Sequence, residues 1–149
     1  MTYHQLIKGR YSQCGYIYHI TFCTYQRQPF FLNYHAARQL ILEMKKMNDQ
    51  HQLTSLAFVV MPDHVHWLFQ LGDKLSLSDC VKQVKGRSAH IINCLLNRKG
   101  IFWQTGFHDH ALRQDEDLRT TAQYIVNNPI KDGITDSLAN YPLWDAVWL

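Results

Sequence analysis

The apolar residues of the chain follow two rhythms, one of period two and one of period three to four. From Tyr16 to Thr24 nearly every residue is β-branched or aromatic (YIYHITFCT), the composition of a strand buried in a sheet, and Pro29 marks a break beyond it. Ala37, Leu40, Ile41, Met44 and Met47 then recur at helical intervals, which predicts a helix running to about Gln50 with Asn33 as its N-cap. Ser55–Met61 is a compact apolar strand, Pro62-Asp63 a tight turn and His64–Leu71 the returning strand, so the two form a hairpin that Gly72 ends. Ser76-Leu77-Ser78-Asp79 has the form of a capping box with Asp79 in place of the usual Glu. The helix it opens is expected to reach about Asn97 and to bury Leu77, Val81, Val84, Ile91, Ile92 and Leu95. It should weaken or bend at Gly86 before Gly100 closes it.

Residues 106–113 (GFHDHALR) alternate again as a strand. Asp115, Glu116 and Asp117 are expected in the first turn of a further helix, where the dipole favours acids, and Pro129 must end that helix at Asn127 or Asn128. Tyr141, Trp144 and Trp148 are expected to fold back onto the body. The order β-α-β-β-α-β predicts an α+β, ferredoxin-like fold: an antiparallel sheet of four strands with two helices on one face, and an additional C-terminal helix. No repeat, low-complexity tract or linker interrupts it, so residues 1–149 are read as a single domain.

Composition narrows the class. At 46% hydrophobic and 18% charged residues the chain is not disordered. No apolar run approaches the ~20 residues of a membrane span, and the first residues lack the layout of a signal peptide, so the expected location is the cytoplasm. Cys14, Cys23, Cys80 and Cys94 show no CxxC spacing and are read as reduced thiols. The net charge of +3 is uneven: residues 1–42 and residues 80–108 contain no acid, the first carrying Lys8, Arg10, Arg27 and Arg38, the second Lys82, Lys85, Arg87, Arg98 and Lys99. Brought to one face these stretches would attract phosphates; a plain solvated surface is the other reading. Nine histidines turn attention to metal or phosphate chemistry.

His64 and His66 lie two apart on a strand, so both imidazoles share a face and can hold one cation if a further ligand arrives from elsewhere. Tyr124 and Asn128 lie four apart on the last helix and share a face, at the margin of the apolar stripe Leu118, Ala122 and Ile125. A tyrosine hydroxyl, with a pKa of ~10, acts as a nucleophile only on an activated electrophile such as a metal-polarised phosphodiester.

Three segments now stand in order: Val60-Met61-Pro62-Asp63-His64-Val65-His66-Trp67-Leu68, the run from Phe102 to Arg113, and Tyr124-Ile125-Val126-Asn127-Asn128-Pro129-Ile130-Lys131. With Gly9-Arg10-Tyr11 and Tyr18-His19-Ile20-Thr21 they resemble the single-tyrosine HUH transposases, and among these the REP-associated tyrosine transposase branch, from about Arg10 to Gly133. The resemblance implies a ferredoxin-like nuclease that cuts single-stranded or hairpin DNA. It makes Tyr124 the nucleophile, and His64, His66 and Asn128 the ligands of Mg²⁺ or Mn²⁺. The implied products are a 5′-phosphotyrosine link and a free 3′-hydroxyl. His110 matches a histidine of the family's DHxxR-like segment and is implied to support the site, a hydrogen-bonded strand residue being its other reading. Arg10, Lys82, Lys85, Arg87 and Arg113 are candidates for phosphate contacts, and Tyr11, Tyr16 and Trp103 for stacking on unpaired bases, with core packing the alternative for Trp103. A cleavage-inactive nucleic-acid-binding relative and a phosphodiesterase of small substrates are the alternative functions. Homodimer and monomer both stay open.

Overall fold

Alternation along the strands decides which layer each residue joins. In β1 (Ile17–Cys23) Tyr18, Ile20 and Phe22 are buried on one side, while Ile17, His19, Thr21 and Cys23 take the other. The computed structural model describes residues 15–113 and 116–147. It pairs β1 with β2 (Leu53–Val60), β3 (His64–Leu71), β4 (His108–Ala111) and β5 (Trp144–Ala146) in one antiparallel sheet of order β4-β1-β3-β2-β5. The first four strands stand in the ferredoxin-like arrangement that the element order predicts. The fifth is additional. The tail folds back as expected, but it does so by lending a strand to the free edge of β2, with Ala146 opposite Ala57 and Trp144 opposite Val59. An otherwise open strand edge is thereby covered.

Helices α1 (Tyr34–Asp49) and α2 (Leu77–Leu95) start at the caps read from the sequence: the Asn33 side chain accepts from the Ala36 N–H, and Ser76 from that of Asp79. Both lie on the Tyr18 side of the sheet, where Ile20, Phe22, Leu40, Met44, Val65, Trp67 and Phe69 form the main core. Trp67, at its centre, donates from Nε1 to Ser55 Oγ at 2.9 Å, so the one polar atom of this large buried ring is satisfied. One expectation for α2 fails: Leu95 is 48% exposed rather than inward, because the inward face runs from Ile92 to Leu96. Gly86 lies within the continuous helix on its exposed side, where a Cβ would meet no atom within 4 Å.

Helix α3 (Leu118–Val126) packs on the opposite face, setting Ala122, Ile125 and Val126 against Ala57, Val59, Met61 and Leu68. Asp117 is its N-cap rather than a first-turn acid: its carboxylate accepts from the Arg119 N–H and the Thr120 hydroxyl. Asp115, like Arg10, Tyr11, Cys14 and Trp148, lies outside the described residues. A short helix α4 (Asn128–Lys131) comes after a one-residue break, because Pro129 has no N–H to continue α3. Helix α3 lies over β2, β3 and β5, which leaves the margin of this face along β1 and β4 to polar side chains. Among the described residues no helix is long and apolar enough to cross a membrane, and Cys23, Cys80 and Cys94 are free thiols.

Candidate active site

Strand register gathers five of the nine histidines on the face that α3 shares. Thr21 stands opposite His66 on one side and His108 on the other, His19 opposite His110, and Cys23 opposite His64, and directly opposed residues point the same way. His64 and His66 are the innermost, with ring centroids 5.0 Å apart and planes at 82°. Among the described residues no three His, Cys, Asp or Glu side chains are grouped to hold a metal ion, so any cation on this pair needs other donors as well.

Each ring of the pair is held through Nδ1. His64 Nδ1 lies 2.7 Å from Asp63 Oδ1, and Asp63 Oδ2 accepts from Arg27 Nε at 2.9 Å. Burial works against the Asp63 carboxylate, yet the hydrogen bonds from His64 and Arg27 outweigh it and hold its pKa below the ordinary range. His66 Nδ1 lies 3.0 Å from His19 Nε2 and 3.1 Å from Thr21 Oγ1. Both Nε2 atoms are left as the ring positions for a ligand. Burial, with the charges of His19, His64 and Lys131, pushes His66 down to about 3; burial and His110 push His19 down to about 4. Both rings are therefore neutral at neutral pH, the state in which an imidazole can ligate.

Tyr124 projects from α3 with 54% of its surface exposed. Lys131, seven residues on and so two turns further along the same side, places Nζ 3.5 Å from the Tyr124 hydroxyl and 5.1 Å from the ring centroid. The charge of the same ammonium contributes to lowering the pKa of His66. Asn128 is 7% exposed and opens α4, so it is not on the tyrosine's own helix as the spacing had suggested. Its Nδ2 donates to the carbonyls of Tyr124 at 3.2 Å and Ile125 at 2.9 Å, capping the end of α3. With the amide nitrogen so engaged, Oδ1 is the atom that can serve a ligand.

The other candidates divide. His110 Nε2 lies 2.9 Å from a Glu116 oxygen that also accepts from the Arg113 N–H, and the ring is half exposed. Lys85 is half-buried, and its ammonium donates to the carbonyls of Gln104 and Gly106, both at 2.8 Å. Lys82 and Arg87 are exposed on α2, across the sheet from the histidines, and Arg113 is exposed just past β4. Tyr16 and Trp103 are buried, the latter donating to Ser88 Oγ and packed on Phe22 and Phe31, which removes both as platforms for bases. An open pocket of about 280 Å³ is lined by Thr21, Cys23, Thr105, Gly106 and His108 among others, but by neither member of the pair. A larger cleft of about 430 Å³ between α1 and β5 touches none of the site residues. The sequence alone assigned no role to Asp63, His19 or Lys131. Adjacency to His64 and two-turn spacing from Tyr124 were the available signals for the first and last, whereas His19 needed the register of β1 on β3.

A family model described as "Transposase IS200 like" matches residues 12–128. The chain is 30% identical over 111 residues to the REP-associated tyrosine transposase of Escherichia coli (strain K12), an alignment of 73% of this chain and 62% of that protein. It is 25% identical over 115 residues to a putative REP-associated tyrosine transposase of Haemophilus influenzae, covering 66% of this chain and 61% of the relative. The chain thus spans about three fifths of the length of these curated relatives. Among solved structures it is similar to a REP-associated tyrosine transposase bound to a REP hairpin, with a TM-score of 0.76, 25% identity, and coverage of 91% of this chain and 79% of the other. It is also similar to a putative transposase from Deinococcus radiodurans, with a TM-score of 0.56, 26% identity, and coverage of 81% of this chain and 95% of the other. Matched over most of its length by the family model, this chain belongs to the IS200-like transposase family.

Proposed function

We propose that the chain is a divalent-metal-dependent endonuclease and strand transferase of single-stranded, hairpin-bearing DNA, with Tyr124 as its nucleophile. The observation that carries this reading is the pair His64 and His66: neighbouring rings on one face, each engaged through Nδ1, each with Nε2 left for a ligand. Two imidazole nitrogens and the Asn128 amide oxygen would give a mixed nitrogen and oxygen donor set that suits Mg²⁺ or Mn²⁺, with substrate phosphate or water filling the remaining positions. Bound there, the cation would polarise the scissile phosphate.

The chain's own residues supply the rest. The Tyr124 hydroxyl gives up its proton to water and its oxygen attacks phosphorus, a tyrosyl P–O bond forms as the bond to the 3′ oxygen breaks, and the leaving oxygen takes a proton from water to become a 3′-hydroxyl. Lys131, 3.5 Å from the tyrosine oxygen, stabilises the phenolate on the way. The 5′-phosphotyrosine keeps the energy of a phosphodiester, so another 3′-hydroxyl can attack it and rejoin strands without a nucleotide cofactor. Arg113, just past β4, is the phosphate contact of this reading, Lys82 and Arg87 on the other layer being left to more distant parts of a bound strand, and the hairpin in the solved relative is the chemistry it adopts as substrate.

The test is cleavage of a 5′-labelled single-stranded hairpin substrate with Mg²⁺, Mn²⁺ or EDTA. Cleavage should need the cation and should vanish in the variant carrying both His64→Ala and His66→Ala, while hairpin binding persists. Hairpin binding by wild-type protein with no cleavage under any cation would favour the inactive relative instead.

A further inference from the structure

Two of the five gathered histidines, His64 and His66, have roles in the proposed site; His19 has none, although it touches His66. It belongs to the non-core phase of β1, two residues before Thr21, which stands directly opposite His66. That diagonal position brings the two rings to a centroid distance of 5.2 Å and sets His19 Nε2 3.0 Å from His66 Nδ1.

An imidazole that ligates a cation through Nε2 must carry its hydrogen on Nδ1, and that hydrogen needs an acceptor to fix both the tautomer and the ring's orientation. For His64 the acceptor is Asp63, whose carboxylate can only accept. For His66 the neighbours are a second imidazole and the Thr21 hydroxyl. The hydroxyl can donate as readily as accept, so it leaves the choice of tautomer open. His19 closes that choice when its own hydrogen sits on Nδ1, because Nε2 is then a bare acceptor aimed at His66.

We propose that His19 is a positioning residue of the cation site: its Nε2 accepts the Nδ1 hydrogen of His66 and so holds His66 in the tautomer and rotamer that present Nε2 to the cation. The inference rests on the proposed metal dependence and adds an unequal pair to it, His64 backed by a carboxylate and His66 by a neutral ring. A merely steric role for His19 would be served as well by a phenyl ring. A hydrogen-bonding role would be served by an amide oxygen.

The experiment uses the whole chain with Mn²⁺ alone as the probe, binding being followed by electron paramagnetic resonance, and with ¹⁵N-labelled histidines in the Mg²⁺-loaded protein for the tautomers. Wild type should bind Mn²⁺, His66→Ala should not, and the ¹⁵N shifts should place the His66 hydrogen on Nδ1. His19→Phe should weaken Mn²⁺ binding roughly 10- to 100-fold, the usual effect of losing such a partner, and should leave His66 with mixed tautomers. His19→Gln, which keeps an acceptor, should recover most of the affinity. His19→Leu serves if the Phe variant does not fold. Wild-type affinity in His19→Phe or His19→Leu, or a His66 hydrogen on Nε2 in the loaded wild type, overturns the inference while the cation site stands. Wild type that binds Mn²⁺ no better than His66→Ala overturns the cation site, and the inference with it.

Discussion

The paired rings of His19 and His66 make the metal-free protein acid-sensitive in a pH range that is easy to isolate. Their folded pKa values, about 4 and about 3, lie below the ordinary 6.5, because burial and the facing charges disfavour the imidazolium. Those charges come from His64 on β3, His110 on β4 and Lys131 on α4. The unfolded chain therefore takes up protons below pH 6.5 that the folded chain refuses, and stability must fall as pH drops, until the folded values are passed. At pH 5 the gap to 6.5 is worth about 2 kcal/mol for each ring, which partial exposure and their mutual contact reduce to roughly 2–4 kcal/mol for the pair. For a chain of this length that is a fall in Tm of about 10 °C. The carboxylates of Asp63, Glu116 and Asp117, all held below their ordinary values of 3.8, 4.5 and 3.8, lose their contribution only at lower pH and stay out of this window. The assay is urea unfolding in EDTA between pH 7 and pH 5, for wild type and for the variant carrying both His19→Gln and His66→Gln. Wild type should lose that amount, and the double variant much less. Equal slopes in the two proteins would refute the reasoning.

The site geometry sets three further outcomes. Lys131→Met should slow formation of the tyrosine adduct roughly 10- to 100-fold, since it removes the cation beside the tyrosine oxygen, yet bind Mn²⁺ as well as wild type or better, because it also removes a repulsive charge from His66. An unchanged single-turnover rate would count against a role for the ammonium. Asp63→Asn should weaken Mn²⁺ binding about 10-fold or more while costing less than about 1 kcal/mol of stability, as its Arg27 partner is exposed; equal affinity in a titration against wild type would contradict it. Lys85→Met should lower stability by about 1–2 kcal/mol through the lost bonds to Gln104 and Gly106, and leave the salt dependence of DNA binding as it was. A slope reduced by about 0.7 would return Lys85 to the phosphate contacts.

The readable parts of this molecule are those fixed by local pattern. The phase of His64 and His66 on β3 comes from the alternation that buries Val65 and Trp67, and the caps Asn33 and Ser76 come from side chains whose oxygen reaches an N–H three residues on. Pro129 announced the end of α3 by its missing donor. The features that escaped were set by pairing across distance. Trp144–Ala146 is too short to read as a strand and becomes one only because β2 offers a free edge. His19 is an ordinary strand residue until β1 pairs with β3 and brings its ring to His66. Lys85 looked like one charge of a basic stretch, and only the course of residues 104–106 shows where its ammonium goes. Leu95 is spaced as if on the apolar stripe of α2, but the packed face passes from Ile92 to Leu96 and leaves it outside.

The central claim is that the Tyr124 oxygen becomes bonded to DNA, and peptide mapping of the trapped covalent complex tests it most directly. A hairpin-bearing single strand is incubated with Mn²⁺ and the whole chain, the complex is denatured and digested, and the modified peptide is sequenced by mass spectrometry. One nucleotide-bearing peptide is expected, the one containing Tyr124, and none from Tyr124→Phe. That variant should keep wild-type stability to within about 0.5 kcal/mol, because the residue is half exposed and, among the described residues, its hydroxyl makes only a 3.5 Å contact with Lys131. An adduct on any other tyrosine, or cleavage that survives in Tyr124→Phe, would contradict the account.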